Sequence, residues 1–247
     1  MNVLITGSKG FIGRNLVEIL KDDHQICSIM EFDKENTLEE LYDFVSKADA
    51  VFHFAAVVRP ATVDGYNDNI SITSRLLEYL KKIGNKCPVM FASSIQAELD
   101  NPYGKSKRDE EQIIINYGID NNVNTYVFRF PNLFGKMCRP NYTSVVATFC
   151  YSTIKGLPIT VNNPATRIRF AYIEDVLKNV CRIVFAQTNE NANKINNVND
   201  FYSVGLGELV YYMGTLITNK TPLINRYDDF YDKLKETYCW YLSCYGE

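Results

Sequence analysis

Three glycines at three-residue intervals lie between the first apolar run of this chain and its first helical pattern. Gly7, Gly10 and Gly13 follow the strand-like run Asn2–Thr6. The first glycine permits a tight turn, the second lets a pyrophosphate approach the backbone, and the third lets the helix pack closely on a sheet. The N-terminus of that helix offers unpaired N–H groups and a positive dipole to phosphates. We predict a dinucleotide-binding turn; the structural alternative is a turn that binds no ligand.

Strand-like and helical segments alternate through the first half of the chain. The predicted strands are Asn2–Thr6, Ile26–Phe32, Ala50–Ala56, Pro88–Ala92 and Thr125–Phe130. The predicted helices are Phe11–Leu20, Thr37–Lys47, Asp68–Ile83 and Tyr103–Tyr117. This order predicts an α/β fold with a doubly wound, Rossmann-like parallel sheet.

The pattern changes after Pro131. We expect a loop over Asn132–Tyr142, a surface connection over Glu190–Asp200, and further short elements. Those elements are helices over Ser144–Ile154, Asp175–Ala186 and Gly207–Ile217, and strands over Ile159–Val161 and Ile168–Tyr172. We predict one domain over 1–247. Residues 1–135 form mainly its dinucleotide-binding core, and 136–247 form the last sheet elements and a smaller substrate-binding lobe.

The segment Tyr227–Glu247 is unusually rich in aromatic residues. It contains Tyr227, Phe230, Tyr231, Tyr238, Trp240, Tyr241 and Tyr245. A free tail carries few such residues. We expect a helix packed on the lobe, or a surface that meets another domain or subunit.

Composition excludes several classes of protein. The 26 basic and 29 acidic residues give a net charge of −3, which argues against a nucleic-acid binder. His24 and His53 lie far apart and no Cys-x-x-Cys pair occurs, so we expect no metal site. Seven scattered cysteines indicate reduced thiols in a cytoplasmic protein. No apolar run approaches the roughly 20 residues of a membrane span.

A serine, a tyrosine and a lysine follow the fourth predicted strand with a spacing that suits carbonyl chemistry. Tyr103 and Lys107 are four residues apart and share a helix face. A nearby ammonium favours the phenolate and typically lowers the tyrosine pKa by about 1–3 units, so the group can exchange a proton near neutral pH. Ser94 can donate a hydrogen bond to the same substrate oxygen. We predict these three as catalytic residues; Tyr-x-x-x-Lys alone is a common structural spacing.

The end of the second predicted strand carries two conflicting signals for the cofactor. Asp33 lies about 20 residues after the glycines, where a carboxylate can bind the adenosine ribose diol of NAD. Lys34 can instead pair with the 2′-phosphate of NADP. Both can also be ordinary turn residues.

The chain resembles the extended short-chain dehydrogenase/reductase superfamily. The motifs that carry the resemblance are Thr6–Gly13, His53–Ala56, Ser93–Ser94, Tyr103–Lys107 and Tyr172–Val176. Within the superfamily it is similar to reductases of capsular polysaccharide synthesis, most specifically over Ser93–Tyr151. The similarity extends over essentially the whole chain.

The resemblance implies reduction of the C4 ketone of a UDP-linked 4-keto-6-deoxy-N-acetylhexosamine, a precursor of N-acetyl-L-fucosamine in bacterial surface polysaccharide. Tyr103 would donate the proton to the C4 oxygen, Lys107 would be its partner, and Ser94 would bind the carbonyl. The implied cofactor is NADPH, with NADH possible because Asp33 stands where a basic pair is expected.

The resemblance and the motifs together give two sets of binding residues. The cofactor set is Gly7, Ser8, Lys9, Gly10, Phe11, Ile12, Gly13, Asp33, Lys34, Phe54, Ala55, Ala56, Tyr103, Lys107, Pro131 and Leu133. The substrate set is Arg59, Ser94, Asn132, Lys136 and Asn141. Apart from Ser94, the substrate candidates can also be loop residues that face solvent.

The related capsular reductases continue into a zinc-binding cupin domain that epimerises the sugar before reduction. This chain ends about where that domain would begin, so we expect no cupin domain and no epimerase activity. A separate cupin epimerase is then a possible partner, and a homodimer is expected.

Two alternatives remain open. One is an NAD-dependent epimerase or dehydratase of the same superfamily. Dehydratases usually carry an acidic pair just after the strand-end serine or threonine, but Ile95 and Gln96 stand there. The other is a non-catalytic cofactor-binding protein, which would typically have lost the tyrosine or the lysine.

Overall fold

The computed structural model describes residues 1–218, 222 and 228–246. The chain forms two compact units. One consists of Met1–Phe130 and Leu177–Val198, and the other of Pro131–Val176 and Asn199–Glu247. The first unit therefore includes a segment from the second half of the chain, Leu177–Val198.

The first unit is an α/β layer structure. Among its described residues, the strands are β1 (Asn2–Thr6), β2 (Ser28–Phe32), β3 (Ala50–His53), β4 (Val89–Ser94), β5 (Thr125–Phe130) and β8 (Lys194–Asn197). The helices are α1 (Phe11–Lys21), α2 (Leu38–Lys47), α3 (Asn67–Ile83), α4 (Pro102–Asn121) and most of α6 (Ile173–Phe185).

The sheet order is β2-β1-β3-β4-β5-β8, and each neighbouring pair is parallel. This confirms the predicted doubly wound parallel sheet. The order reverses between β1 and β3, and in such sheets ligands bind beside the carboxyl ends of the strands at this switch point.

Local sequence explains these elements well. All four residues of β3 are buried, as expected for a strand covered on both faces. Helix α2 begins with a capping box, in which Thr37 Oγ1 accepts from the Glu40 N–H at 3.2 Å and Thr37 N–H donates to Glu40 Oε2 at 2.7 Å. Helix α3 ends at Gly84, whose φ of 77° suits the left-handed cap.

The second unit contains a smaller sheet of order β6-β7-β9. Its strands are β6 (Asn132–Phe134), β7 (Arg167–Tyr172) and β9 (Tyr202–Gly205), and its helices are α5 (Val145–Ile154), α7 (Leu206–Thr218) and α8 (Asp228–Tyr245). The β6–β7 pair is parallel and the β7–β9 pair antiparallel.

Several predictions for the second half of the chain were wrong. Residues 159–161 form no strand, β6 begins inside the predicted loop, and β9 was not predicted. Strand β8 lies inside the predicted surface connection. It is polar in sequence, and it is held by its pairing with β5 and by the buried Asn196, whose amide donates to Val127 O at 3.3 Å and Asn191 O at 2.9 Å.

The aromatic segment forms α8 and packs on its own unit. Phe230 and Tyr241 are 1% and 0% exposed, and the Tyr241 hydroxyl donates to the Cys138 carbonyl. Phe230 lies 5.3 Å from Phe134 between ring centroids. This confirms the interpretation as a packed helix. Tyr227, the first aromatic residue of the segment, lies outside the described residues.

Two kinds of feature are absent from the part of the chain that the structure describes. None of the helices there is long and apolar enough to cross a membrane. No group of three or more histidine, cysteine, aspartate or glutamate side chains is arranged to hold a metal ion.

The close packing at Gly13 can be tested by substituting alanine. A Cβ there would lie 2.3 Å from the Gly7 carbonyl oxygen, so we expect Gly13→Ala to lower the free energy of unfolding by about 1–3 kcal/mol. The matched control is Gly214→Ala on the exposed face of α7, where a Cβ meets nothing within 4 Å. That change should raise the free energy of unfolding by about 0.5–1 kcal/mol. Urea denaturation measures both, and equal stability of the two variants would contradict the close packing.

Candidate active site

The glycine turn brings two loops together at the switch point of the sheet. Gly7 has a φ of 71°, and a Cβ there would lie 2.7 Å from the Ala55 nitrogen, which follows β3. Gly10 caps α1 without a side-chain hydrogen bond, so the first-turn N–H groups of that helix lack intrahelical acceptors. Among the described residues, the Ser8 hydroxyl is 1% exposed and has no hydrogen-bond partner. This cradle of backbone donors and an unpartnered hydroxyl fits a pyrophosphate.

Charged groups surround the end of β2. The Asp33 carboxylate accepts from the Lys9 N–H at 2.8 Å and from the Lys34 N–H at 2.9 Å. The Lys9 ammonium lies 3.1 Å from Glu35 Oε2, and that of Lys34 lies 4.0 Å from Glu35 Oε1. The structure thus brings Asp33, Lys34 and Lys9 together beside the glycine turn.

The two serines that end β4 have different roles. Ser93 is buried and donates to Glu111 Oε1 at 2.5 Å, and Arg129 also binds this carboxylate at 2.8 and 2.7 Å. Ser94 is only half-buried, and its oxygen accepts from the Gln96 N–H at 3.2 Å, which caps the short 3-10 helix Ile95–Glu98. That bond leaves the Ser94 hydroxyl hydrogen available to donate, so Ser94 rather than Ser93 suits a carbonyl.

The start of α4 is packed tightly against this 3-10 helix. Asn101 caps α4 by accepting from the Gly104 N–H at 2.8 Å. A Cβ at Gly104 would lie 2.2 Å from the Gln96 carbonyl oxygen. Arg108 donates to the Ala97 and Leu99 carbonyls at 2.6 and 2.8 Å. Ser94 and Tyr103 therefore belong to one tightly connected substructure, which the sequence analysis did not find; the glycine after Tyr103 was its only signal.

The Tyr103 phenol is held in its protonated form. Burial, followed by the Glu110 charge and by Tyr66, raises the pKa of Tyr103 to about 12. The expectation that Lys107 would lower this pKa was wrong, because burial of the phenol dominates and the Glu110 charge acts in the same direction as burial. The Tyr66 ring lies 6.0 Å from that of Tyr103 between centroids. At neutral pH the phenol can therefore donate a proton.

Lys107 is buried as an ion pair. Its ammonium is 2% exposed, lies 3.1 Å from Glu110 Oε2, and sits 4.6 Å from the centroid of the Phe91 ring on β4. Glu110 is fully buried, one helical turn after Lys107. Glu110 was not predicted as a site residue, because a glutamate within a run of charged helix residues is usually exposed.

A chain of buried polar groups continues from Glu110 into the sheet. Thr73 Oγ1 lies 2.9 Å from Glu110 Oε1 and 2.8 Å from His53 Nε2, and His53 Nδ1 lies 2.6 Å from Thr6 Oγ1. Burial, and then the Lys107 charge, lowers the pKa of His53 to about 3. His53 is a core residue, as predicted, but both its ring nitrogens are hydrogen-bonded.

The remaining candidate residues are distributed over both units. Arg59 is exposed on the segment after β3 in the first unit. In the second unit, Asn132 is exposed on β6, and Asn141 is exposed with its N–H donating to Thr148 Oγ1 at 3.0 Å. Lys136 lies 2.9 Å from Glu174 and 3.5 Å from Glu236. The other second-unit candidates, for the cofactor, are the buried Pro131 and the half-buried Leu133.

Comparison with known proteins agrees with this geometry. The NAD dependent epimerase/dehydratase family matches residues 3–199. A UDP-2-acetamido-2,6-beta-L-arabino-hexul-4-ose reductase from Pseudomonas aeruginosa is 38% identical over 210 residues, covering 85% of this chain and 56% of that protein. The capsular polysaccharide assembling protein CapF from Staphylococcus aureus is 34% identical with a TM-score of 0.85, over 98% of this chain and 66% of that chain.

A more distant structure shares the fold alone. UDP-N-acetylglucosamine 4-epimerase from Bacillus cereus has a TM-score of 0.80 at 21% identity, over 97% of this chain and 96% of that one. The chain thus spans between about half and two thirds of the length of the two more similar relatives. The family match and the 38% identical relative confirm the resemblance found in the sequence, and this chain belongs to the NAD dependent epimerase/dehydratase family, the extended short-chain dehydrogenase/reductases.

Proposed function

We propose that this protein reduces the C4 ketone of a UDP-linked 4-keto-6-deoxy-N-acetylhexosamine with NADPH, giving a precursor of N-acetyl-L-fucosamine for bacterial surface polysaccharide. The observation that carries the proposal is the tightly packed substructure that holds both Ser94 and Tyr103, with Lys107 buried on the same helix as Tyr103. The name of the Pseudomonas aeruginosa relative, a UDP-sugar 4-ketose reductase, supports the substrate class.

The reaction assigns one task to each catalytic residue. Bound NADPH supplies a hydride, which goes to the sugar carbonyl carbon. Ser94 donates a hydrogen bond to the carbonyl oxygen, and Tyr103 transfers its phenolic proton to that oxygen as negative charge develops. The phenolate that remains is stabilised by the Lys107 ammonium and regains its proton from water. The ketone gains one hydride and one proton and becomes an alcohol.

The residues after Ser94 disfavour dehydration among the alternatives. Ile95 and Gln96 stand there, and neither offers a carboxylate.

The proposal extends to the residues that bind the substrate and to the proteins that this chain interacts with. The UDP-sugar would contact Arg59, Asn132, Lys136 and Asn141. A homodimer is proposed, as is a separate cupin epimerase that prepares the keto sugar. A cytoplasmic location is part of the same proposal and is supported by the free cysteines of the chain.

Replacing Tyr103 tests the proposal. With NADPH and a UDP-4-keto-6-deoxy sugar, the wild-type protein should oxidise one cofactor for each ketone reduced. Tyr103→Phe should lower kcat at least about 100-fold, because general acid catalysis contributes about 10²–10⁴-fold. Cofactor Kd should stay within about threefold. Absorbance at 340 nm follows turnover, and the fluorescence of the reduced nicotinamide follows binding.

Tyr117→Phe is the matched control. Tyr117 lies on the same helix, about 21 Å along the axis from Tyr103. The kcat of Tyr117→Phe should match the wild-type value. Unchanged turnover in Tyr103→Phe would refute the assignment of the proton donor.

Replacing Lys34 tests whether the protein prefers NADPH to NADH. If its ammonium pairs with the 2′-phosphate, Lys34→Gln should raise the Kd of NADPH about threefold to fivefold, the range expected for an exposed ion pair. The Kd of NADH, which lacks that phosphate, should not change. Lys21→Gln, at the opposite end of α1, is the charge-matched control. An equal effect on both cofactors, or none, would argue against a 2′-phosphate contact.

A further inference from the structure

The buried chain from Thr6 to Glu110 has a definite direction of hydrogen bonding. Thr73 has one hydroxyl hydrogen and two neighbours, Glu110 Oε1 at 2.9 Å and His53 Nε2 at 2.8 Å. If Glu110 is ionised it can only accept, so Thr73 donates to it and must accept from His53 Nε2–H. A neutral imidazole with its proton on Nε2 accepts at Nδ1, so Thr6 donates there.

If Glu110 is protonated, every hydrogen bond in the chain runs in the opposite direction. A carboxylic acid would donate to Thr73, Thr73 would donate to His53 Nε2, and the imidazole proton would lie on Nδ1. The Lys107 ammonium at 3.1 Å from Glu110 Oε2 favours the ionised acid, since an uncompensated cation in so buried a site is unstable. The tautomer of His53 therefore reports the charge of Glu110.

The far end of the chain reaches the dinucleotide-binding turn. Thr6 is the last residue of β1, and its oxygen accepts from the Ala55 N–H at 3.3 Å. Ala55 is the residue whose backbone lies against Gly7. Each side chain from Thr6 through His53 and Thr73 to Glu110 is 0% exposed, so water does not compete for these bonds.

The titratable groups around the ion pair come from several elements. His53 on β3 interacts electrostatically with Lys107, and Tyr103 on α4 interacts with Glu110. Tyr66, before α3, contacts the Tyr103 ring rather than the ion pair. Strand β4 contributes the Phe91 ring, and α3 contributes Thr73. Glu111, the next acidic residue of α4, is bound by Arg129 of β5 instead.

We propose that Glu110 is a positioning residue of the reductase. Its carboxylate, fixed by the chain Thr6–His53–Thr73, holds the Lys107 ammonium on the face of α4 that also carries Tyr103, and its charge balances that of the ammonium. This role deepens the proposed function and depends on it for its catalytic meaning. The negative charge of Glu110 offsets that of Lys107, so the phenol is not ionised beforehand by the lysine. As negative charge develops on the phenol oxygen, the same lysine is already in place to stabilise it.

Glu110→Gln removes the charge and keeps the shape. Tyr103 should then ionise at least one pH unit lower than in the wild-type protein, because the anion that opposes ionisation is gone. A proton donor that ionises earlier is lost earlier, so the alkaline limb of kcat/KM for ketone reduction should move to lower pH by a similar amount. Glu110→Asp retains the charge and should restore most of the wild-type profile.

Glu111→Gln is the matched control. It is the same substitution at the adjacent buried glutamate, and it breaks a comparable ion pair with Arg129. It should reduce thermal stability as Glu110→Gln does, without moving the alkaline limb. An equal shift in both variants would show a merely structural effect and overturn the proposal.

A direct measurement of Tyr103 ionisation separates this inference from the proposed function. Protein labelled with ¹³C at the tyrosine Cζ, with the Tyr103 signal assigned through Tyr103→Phe, reports phenolate formation without substrate. A lowered Tyr103 pKa in Glu110→Gln, with no turnover of keto sugars by the wild-type protein, would support the role of Glu110 and refute the proposed substrate. Turnover of keto sugars by the wild-type protein, with a Tyr103 pKa that does not change in Glu110→Gln, would support the proposed substrate and refute the role of Glu110.

The wild-type protein provides a test that needs no variant. The chain has two histidines, the buried His53 and the exposed His24, so the ¹⁵N spectrum of the imidazoles is simple. We expect the Nε2–H tautomer for His53, neutral from pH 8 down to pH 5, since its pKa is about 3. An Nδ1–H tautomer, in which Nε2 accepts from Thr73, would show that Glu110 is not the ionised acceptor and would overturn the proposal.

Discussion

Backbone-to-backbone packing at three glycines determines where the polar groups of the candidate site lie. At Gly7 the turn after β1 lies against the segment after β3, at Gly13 helix α1 lies against the turn, and at Gly104 helix α4 lies against the 3-10 helix after β4. A Cβ at any of these positions would come within 3 Å of backbone atoms. Since a buried backbone cannot move by that distance without losing its hydrogen bonds, these contacts fix the switch point and the Ser94–Tyr103 substructure as rigid supports.

The charge of the candidate site is set by a buried ion pair, Lys107 with Glu110, rather than by the lysine alone. Lys107 is almost completely buried, and a buried ammonium requires a compensating anion. Glu110 supplies it. Burial of the phenol, and then the Glu110 charge, raises the pKa of Tyr103, so the phenol is a proton donor in the resting protein.

The sequence predicted what depends on local pattern and missed what depends on tertiary burial. The alternation of apolar runs with helical periodicity predicted the parallel sheet, and the spacing of Tyr103 and Lys107 predicted their shared helix. Strand β8 was missed because its residues, Lys194–Asn197, are mostly polar and depend on pairing with β5. The pKa of Tyr103 was predicted in the wrong direction because the sequence shows Lys107 nearby but shows neither that the phenol itself is buried nor that Glu110 is buried near it.

The buried polar chain is difficult to alter one residue at a time. Replacing Thr73 with an apolar side chain would leave Glu110 short of a donor. Replacing His53 in the same way would remove a partner from both Thr73 and Thr6, and replacing Glu110 would leave Lys107 without its anion. Such losses are much larger than the net contribution of an intact hydrogen bond, because an unsatisfied buried group keeps its full desolvation penalty. An all-apolar core of the same volume could be as stable, but it could not hold a lysine. The requirement for a charged Lys107 thus accounts for polar residues on β1, β3 and α3 that have no chemistry of their own.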